Sequence, residues 1–290
     1  MKLLIAGCGY VGTALGQELT KSGHEVWGIR RDPAALRFLE ENTRIKPIQA
    51  DLLSSDLIKK TPSVEYVLIC QSPSKKNDEY LSTYFQATKN LLKVLSRNEL
   101  RKVILISSTS VYATQDGSWV DERTEPMAQN HGDRESQENA KVLLETESLV
   151  LNGGFPGLVL RLSGIYGEGR NRVKSLQDGR VKPVFSDVFM NRIHVTDIVR
   201  ALRLLLDKGK VGELYLGSDD RPSTQKEFYG WVFEKLGLPI PTSTDQAQEN
   251  RHGQSNKRVS NKKLKDLGLQ LRFPSFKEGY TPLIASTQHA

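Results

Sequence analysis

Gly7, Gly9 and Gly12 are the first residues whose spacing implies chemistry, in the run Gly7-Cys8-Gly9-Tyr10-Val11-Gly12. They follow the apolar segment Lys2–Ala6 and open a helical pattern over Val11–Ser22. In a strand–loop–helix context, the first glycine permits the tight turn. The second lets a pyrophosphate approach the backbone, and the third lets helix and strand pack closely. The helix N-terminus adds free N–H groups and the positive end of its dipole. Such a loop holds a nicotinamide dinucleotide, with Tyr10 and Val11 beside the glycines.

The second strand, Glu25–Ile29, leads into Arg30-Arg31-Asp32. An acid about 20 residues beyond the loop ordinarily holds the adenosine ribose. Here that position is Arg30, and a guanidinium there binds a phosphate. Arg30 and Arg31 therefore favour NADP, with NAD possible because Asp32 is in reach of a ribose hydroxyl. Arg31 also reads as an exposed loop charge. Asp51, with Leu52, follows the third strand at the place expected for the adenine. A carboxylate that only caps its own loop is the other reading of Asp51.

The elements that must position these groups alternate. Strands are expected at Lys2–Ala6, Glu25–Ile29, Ile45–Ala50, Tyr66–Cys70, Val103–Ser107, Leu158–Leu162 and Glu213–Leu216. Helices are expected at Val11–Ser22, Pro33–Glu41 (with Asp32 as N-cap), Glu79–Arg97, Gln137–Leu151, Thr196–Leu206 and Lys226–Leu236. This alternation gives an α/β class, a doubly wound Rossmann parallel sheet with a smaller C-terminal substrate lobe. The dinucleotide-binding domain is expected over 1–165 plus 191–218, the lobe over 166–190 plus 219–290. Within 219–290 only Lys226–Leu236 reads as a helix, and Thr242–Lys257 reads as a polar loop.

The 290 residues are 38% hydrophobic and 26% charged, enough for a core. A net charge of +7 favours anionic partners. The densest basic run, Lys257 to Lys265, reads as a solvated face rather than a nucleic-acid site. Two cysteines, Cys8 and Cys70, suit neither a disulfide framework nor a metal site. The apolar run before Cys8, Leu3 to Gly7, is shorter than the about 7–15 residues of a signal sequence. No stretch reaches the roughly 18 apolar residues of a membrane span. The expected location is cytoplasmic.

Ser107-Ser108-Thr109-Ser110-Val111-Tyr112, together with the glycine loop, resembles the extended short-chain dehydrogenase/reductase superfamily, of the NAD-dependent epimerase/dehydratase type. Leu160-Arg161-Leu162-Ser163-Gly164-Ile165-Tyr166-Gly167, Asn191-Arg192-Ile193-His194-Val195-Thr196-Asp197 and Gly212-Glu213-Leu214-Tyr215 continue the likeness in order. The tail, Leu267-Gly268 with Pro274-Ser275-Phe276, matches in style. The resemblance implies a Ser or Thr, a Tyr and a Lys, the last two spaced Tyr-x-x-x-Lys. By position it assigns Ser108 to bond the reacting oxygen, and Lys141 to hold the nicotinamide ribose, with Glu145 one turn on. The Tyr position is then Gln137, and an amide shuttles no proton at neutral pH. Thr109-Ser110 stand where 4,6-dehydratases carry Asp-Glu, which disfavours that reaction.

His131, Asp133 and Glu135 precede the helix and are candidates for replacing the Tyr. A solvated loop histidine is the commoner reading of His131. Tyr112, Arg161, Arg170 and Arg192 are candidates on the substrate side, although the resemblance makes Tyr112 usually structural and each arginine equally reads as a surface charge; His194 is structural or adjacent to substrate. The expectation is an oxidoreductase or epimerase acting on a sugar nucleotide or small carbonyl compound, with altered acid–base chemistry. The alternative is a cofactor-binding sensor without turnover. The resemblance also implies a homodimer through Glu79–Arg97 and Gln137–Leu151.

Overall fold

The computed structural model describes residues 1–73, 80–96, 99–126, 133–180, 185–240 and 255–288. The strands in chain order are β1 Lys2–Ala6, β2 Glu25–Arg30, β3 Lys46–Gln49, β4 Tyr66–Ile69, β5 Lys102–Ser108, β6 Trp119–Val120, β7 Gly157–Leu162, β8 Gly164–Tyr166, β9 Phe189–Met190, β10 Arg192–His194, β11 Leu214–Gly217, β12 Ser223–Thr224 and β13 Arg258–Val259. The helices are α1 Tyr10–Lys21, α2 Pro33–Asn42, α3 Leu57–Lys60, α4 Ala87–Val94, α5 Arg134–Asn152, α6 Val173–Gln177, α7 Val195–Lys208, α8 Gln225–Leu236, α9 Lys262–Leu267 and α10 Phe276–Gln288.

A seven-stranded sheet has the order β11-β7-β5-β4-β1-β2-β3. β1 pairs in parallel with β2 and with β4, β2 with β3, and β4 with β5. This is the doubly wound arrangement that the alternating pattern implies. β1, β4 and β7 bury nearly every residue, as central parallel strands do when helices cover both faces. All seven strands lie within one residue of their expected bounds. The expected helix over Glu79–Arg97 is instead a π-helical stretch, Leu81–Gln86, followed by α4.

The chain divides into two compact units. One comprises Met1–Ser108, Glu138–Arg161 and Val199–Tyr215, the other Thr109–Gln137, Leu162–Ile198 and Leu216–Ala290. These limits differ from the division expected at residue 165. The first unit packs Leu4, Ala6, Val67, Ile69, Val103 and Leu105 of the sheet against Leu91 and Leu92 of α4. The second has an aromatic core of Tyr166, Phe228, Tyr229, Phe276 and Tyr280. Its α9 and α10 were not legible in the sequence, because Gly279 and Pro282 interrupt the pattern of α10. Gly279 has a packing reason: a Cβ there would stand 2.0 Å from the Tyr166 hydroxyl. Among the described residues no helix is long and apolar enough to cross a membrane.

Candidate functional site

The glycine loop shows the geometry its spacing implies. Gly7 has φ +79°, and a Cβ there would meet the Gln71 main chain at 2.5 Å. Backbone conformation and crowding thus both demand glycine. At Gly12 a Cβ would lie 2.7 Å from Ile5 and 3.2 Å from the Cys70 sulfur, so helix and strand are in close contact. Gly9 precedes α1 and supplies no side-chain cap, so the helix start carries no side chain between its dipole end and the loop. A Cβ at Gly9 would stand 3.0 Å from Nη1 of Arg30, so the guanidinium lies over the loop. Val11 is buried and Tyr10 half-buried. Burial pushes the Cys8 thiol up to about 11 and raises Cys70 as well, which leaves both unreactive.

Other cofactor-side candidates have structural work. Asp32 caps α2, with its two carboxylate oxygens accepting from the Ala34 and Ala35 N–H groups at 3.4 and 3.1 Å. Arg31 is exposed. Asp51 Oδ1 accepts from Leu53 N–H at 2.9 Å, a loop cap, although the residue remains exposed. The Leu52 side chain belongs to the core, and its carbonyl accepts from Asn90 at 2.6 Å. Gln71 escaped the sequence reading. Its amide nitrogen donates to Thr88 Oγ1 at 3.0 Å, while Oε1 is buried without a partner among the described residues. A polar residue two positions after the apolar β4 was the available signal.

β5 ends in two serines that face opposite ways, as successive strand residues do. Ser107 is buried and its hydroxyl donates to Glu147 Oε1 at 2.5 Å. Arg161 donates to the same carboxylate from Nε at 2.9 Å and from Nη2 at 2.6 Å. Both side chains of that ion pair are 5% exposed. Arg161 is therefore committed inside the first unit, which corrects its place among substrate-side candidates. Ser108 is half-buried at the strand's carboxyl end.

Helix α5 buries Ala140, Leu143, Thr146, Glu147 and Val150. At about 3.6 residues per turn, Lys141 falls roughly opposite that face. Its side chain is 72% exposed and lies 3.9 Å from Glu145. The residue expected to hold the nicotinamide ribose thus lies off the buried face, on which Leu143 stands. Gln137 is half-buried. Asp133 caps the helix, accepting from Ser136 N–H at 2.8 Å, and Glu135 is exposed. His131 lies outside the described residues.

In the second unit, Tyr112 is fully buried and its hydroxyl donates to Asp121 O at 3.0 Å. That is a structural role and corrects the substrate-side reading. Arg192 is also buried: its guanidinium lies 3.7 Å from the Phe228 ring centroid and donates to Ser223 Oγ at 3.0 Å. It stands in the aromatic core rather than on a surface. Arg170 is exposed and pairs through its backbone with Gly167. His194 Nδ1 accepts from Thr196 N–H at 3.1 Å. Burial, with Arg272 nearby, lowers its pKa to about 4, so it is neutral and structural. Asp197 holds the tail, accepting from the Arg272 and Phe273 N–H groups at 2.6 and 3.0 Å.

The chain is similar to Protein YeeZ of Escherichia coli strain K12, with 26% identity over 250 residues, 83% of this chain and 85% of that protein. It is 25% identical over 247 residues to the UDP-N-acetyl-alpha-D-glucosaminuronate decarboxylase of Bacillus cytotoxicus, 77% of each chain. A conserved protein of unknown function from Silicibacter pomeroyi superposes with a TM-score of 0.80 at 27% identity, covering 98% of both chains. The family model for the NAD dependent epimerase/dehydratase family matches residues 3–216, from β1 into β11, and the chain belongs to that family.

Proposed function

We propose that this protein binds NADP(H) and acts as an oxidoreductase or epimerase on a sugar nucleotide or small carbonyl compound. The observation that carries the cofactor half is Arg30, whose guanidinium lies against Gly9. Gly7, Gly9 and Gly12 would hold the pyrophosphate, with the N-terminal end of α1 facing it. Arg30 would take the additional phosphate that distinguishes NADP from NAD. The buried Gln71 Oε1, without a partner among the described residues, is an acceptor beside the same loop. The bound nicotinamide supplies hydride exchange. Ser108, at the end of β5, donates its hydroxyl to the reacting oxygen of the substrate. Gln137 moves no proton, so the acid–base step falls to another group or to the substrate itself. A relative named for sugar-nucleotide chemistry supports the substrate class. Two copies pairing through residues 79–97 and 137–151 belong to the same reading, and sedimentation equilibrium tests it.

The outward Lys141 favours a second reading, a cofactor-binding sensor without turnover. Product analysis after incubation with NADPH and a panel of sugar nucleotides, ketones and aldehydes separates the two. Tight cofactor binding with no conversion of any substrate supports the sensor. For the cofactor, affinities for NADPH and NADH are compared in wild type and Arg30→Ala. The variant is expected to lose roughly tenfold or more in NADPH affinity and little in NADH affinity. Equal affinities for both cofactors in both proteins would sink the role of Arg30.

A further inference from the structure

Most of the basic run Lys257 to Lys265 is the solvated face its composition implies. Lys262 and Lys265 are exposed and pair with Asp266 and Asp220. Lys257 departs from it, at 5% exposure. The backbone around it is pinned. Asn256 N–H donates to Thr114 O at 3.0 Å, Arg258 N–H to Ser118 O at 2.9 Å, and Ser260 N–H to Val120 O at 3.0 Å. The Asn191 amide brackets Lys257, donating to its carbonyl at 2.9 Å and accepting from Val259 N–H at 2.8 Å. Alternate residues of an extended segment share a face. Arg258 lies over the rings of Trp119 and Phe189, at 5.3 and 5.0 Å. Lys257 shares the inward side with Val259, which is 1% exposed. An ammonium thus stands where the pattern would place an apolar side chain.

Its partners are both neutral. Nζ donates to the main-chain oxygen of Tyr112 at 3.1 Å and to Ser255 Oγ. A lysine has three N–H donors, so one is left over among the described residues. Charged groups of the neighbouring elements are engaged elsewhere. Asp121 accepts from Arg123 and Thr124 N–H, Asp116 accepts from Ser118 N–H, Arg258 donates to Gly117 O, and Arg192 stacks on Phe228. Burial, with no carboxylate opposing it among the described residues, pulls the Lys257 amine down to about 8. An unpaired buried cation is costly, and an arriving anion offsets the cost.

We propose that Lys257 is an anion-binding position, where the ammonium beside the turn after β5 takes a phosphate or carboxylate oxygen of a bound ligand. The inference rests on this unit alone and holds for either reading of the protein's function. The test is isothermal titration of the full chain with UDP and, separately, with glucuronate, at about pH 7 and about pH 9. Wild type, Lys257→Gln, Lys257→Arg and Arg30→Ala are compared, in two buffers of different ionisation enthalpy. Affinity for at least one probe is expected to fall about tenfold or more in Lys257→Gln and to be largely kept in Lys257→Arg. Wild type should take up a proton on binding at the higher pH, because the anion restores the charged amine, and Lys257→Gln should not. A response to UDP assigns a nucleotide phosphate, and a response to glucuronate a sugar carboxylate. Lys257→Met gives the same comparison should Lys257→Gln fold poorly. Unchanged affinity in both uncharged variants, no proton uptake by wild type, or no binding of either probe overturns the proposal. Loss confined to Arg30→Ala assigns the anion to the glycine loop and also overturns it.

Discussion

Glu147 accepts from Ser107 and twice from Arg161, and in doing so it joins α5 to β5 and β7 inside the first unit. Truncating one member strands the other charge. Glu147→Leu is therefore expected to cost about 3–5 kcal/mol in urea denaturation, with much of it recovered in the double variant Glu147→Leu/Arg161→Met. A loss below about 1 kcal/mol in the single variant would show that the pair does not hold these elements. His194 makes a prediction in pH. Its folded pKa of about 4 lies below the ordinary histidine value of 6.5, so the folded chain binds fewer protons than the unfolded one. The stability it contributes is present above the unfolded value and is lost as pH falls through about 4. His194→Gln should flatten that part of the stability curve, measured by denaturant midpoints across the acid range. An unchanged slope would count against a buried neutral imidazole.

At the scale of elements, the glycine loop and the start of α2 separate two kinds of work. Gly12 is hemmed by Ile5 and Cys70, so Gly12→Val must push α1 off β1. Overpacking of this kind costs about 1–3 kcal/mol, and the displaced helix end should weaken NADPH binding, read by nicotinamide fluorescence. Full cofactor affinity in that variant would contradict the loop assignment. Asp32 caps α2 through both carboxylate oxygens. Asp32→Ala is expected to lose about 1 kcal/mol of stability with little change in NADPH affinity. A marked loss of affinity would instead show that Asp32 reaches the ribose. Helix α5 shows why a spacing motif needs a phase. Two residues four apart share a face wherever they fall, but burial of Ala140, Leu143 and Glu147 chooses which face turns inward.

For the molecule as a whole, a ligand that binds only the folded chain raises stability by mass action. At about 100 times its Kd, NADPH should add roughly 2.7 kcal/mol, a rise of several degrees in thermal unfolding. NADH at the same concentration should add less, and equal shifts would argue against a preference set by Arg30. The sheet and its glycine loop were legible in the chain because their signals are local. Apolar runs mark buried parallel strands, and glycines mark places without room for a side chain. The membership of residues 3–216 in the epimerase/dehydratase family follows from the same segments. The sequence by itself thus determined the strand bounds and the glycine loop between β1 and α1. Only the tertiary structure decided which polar residues face inward. It committed Arg161 to Glu147, turned Lys141 out to Glu145, capped α2 with Asp32 and enclosed Lys257 behind the turn after β5. The reason is that a charged side chain has the same local pattern whether solvent or a buried partner receives it. That choice is made by residues distant in the chain, as Arg161 is by Glu147 and Lys257 by Tyr112.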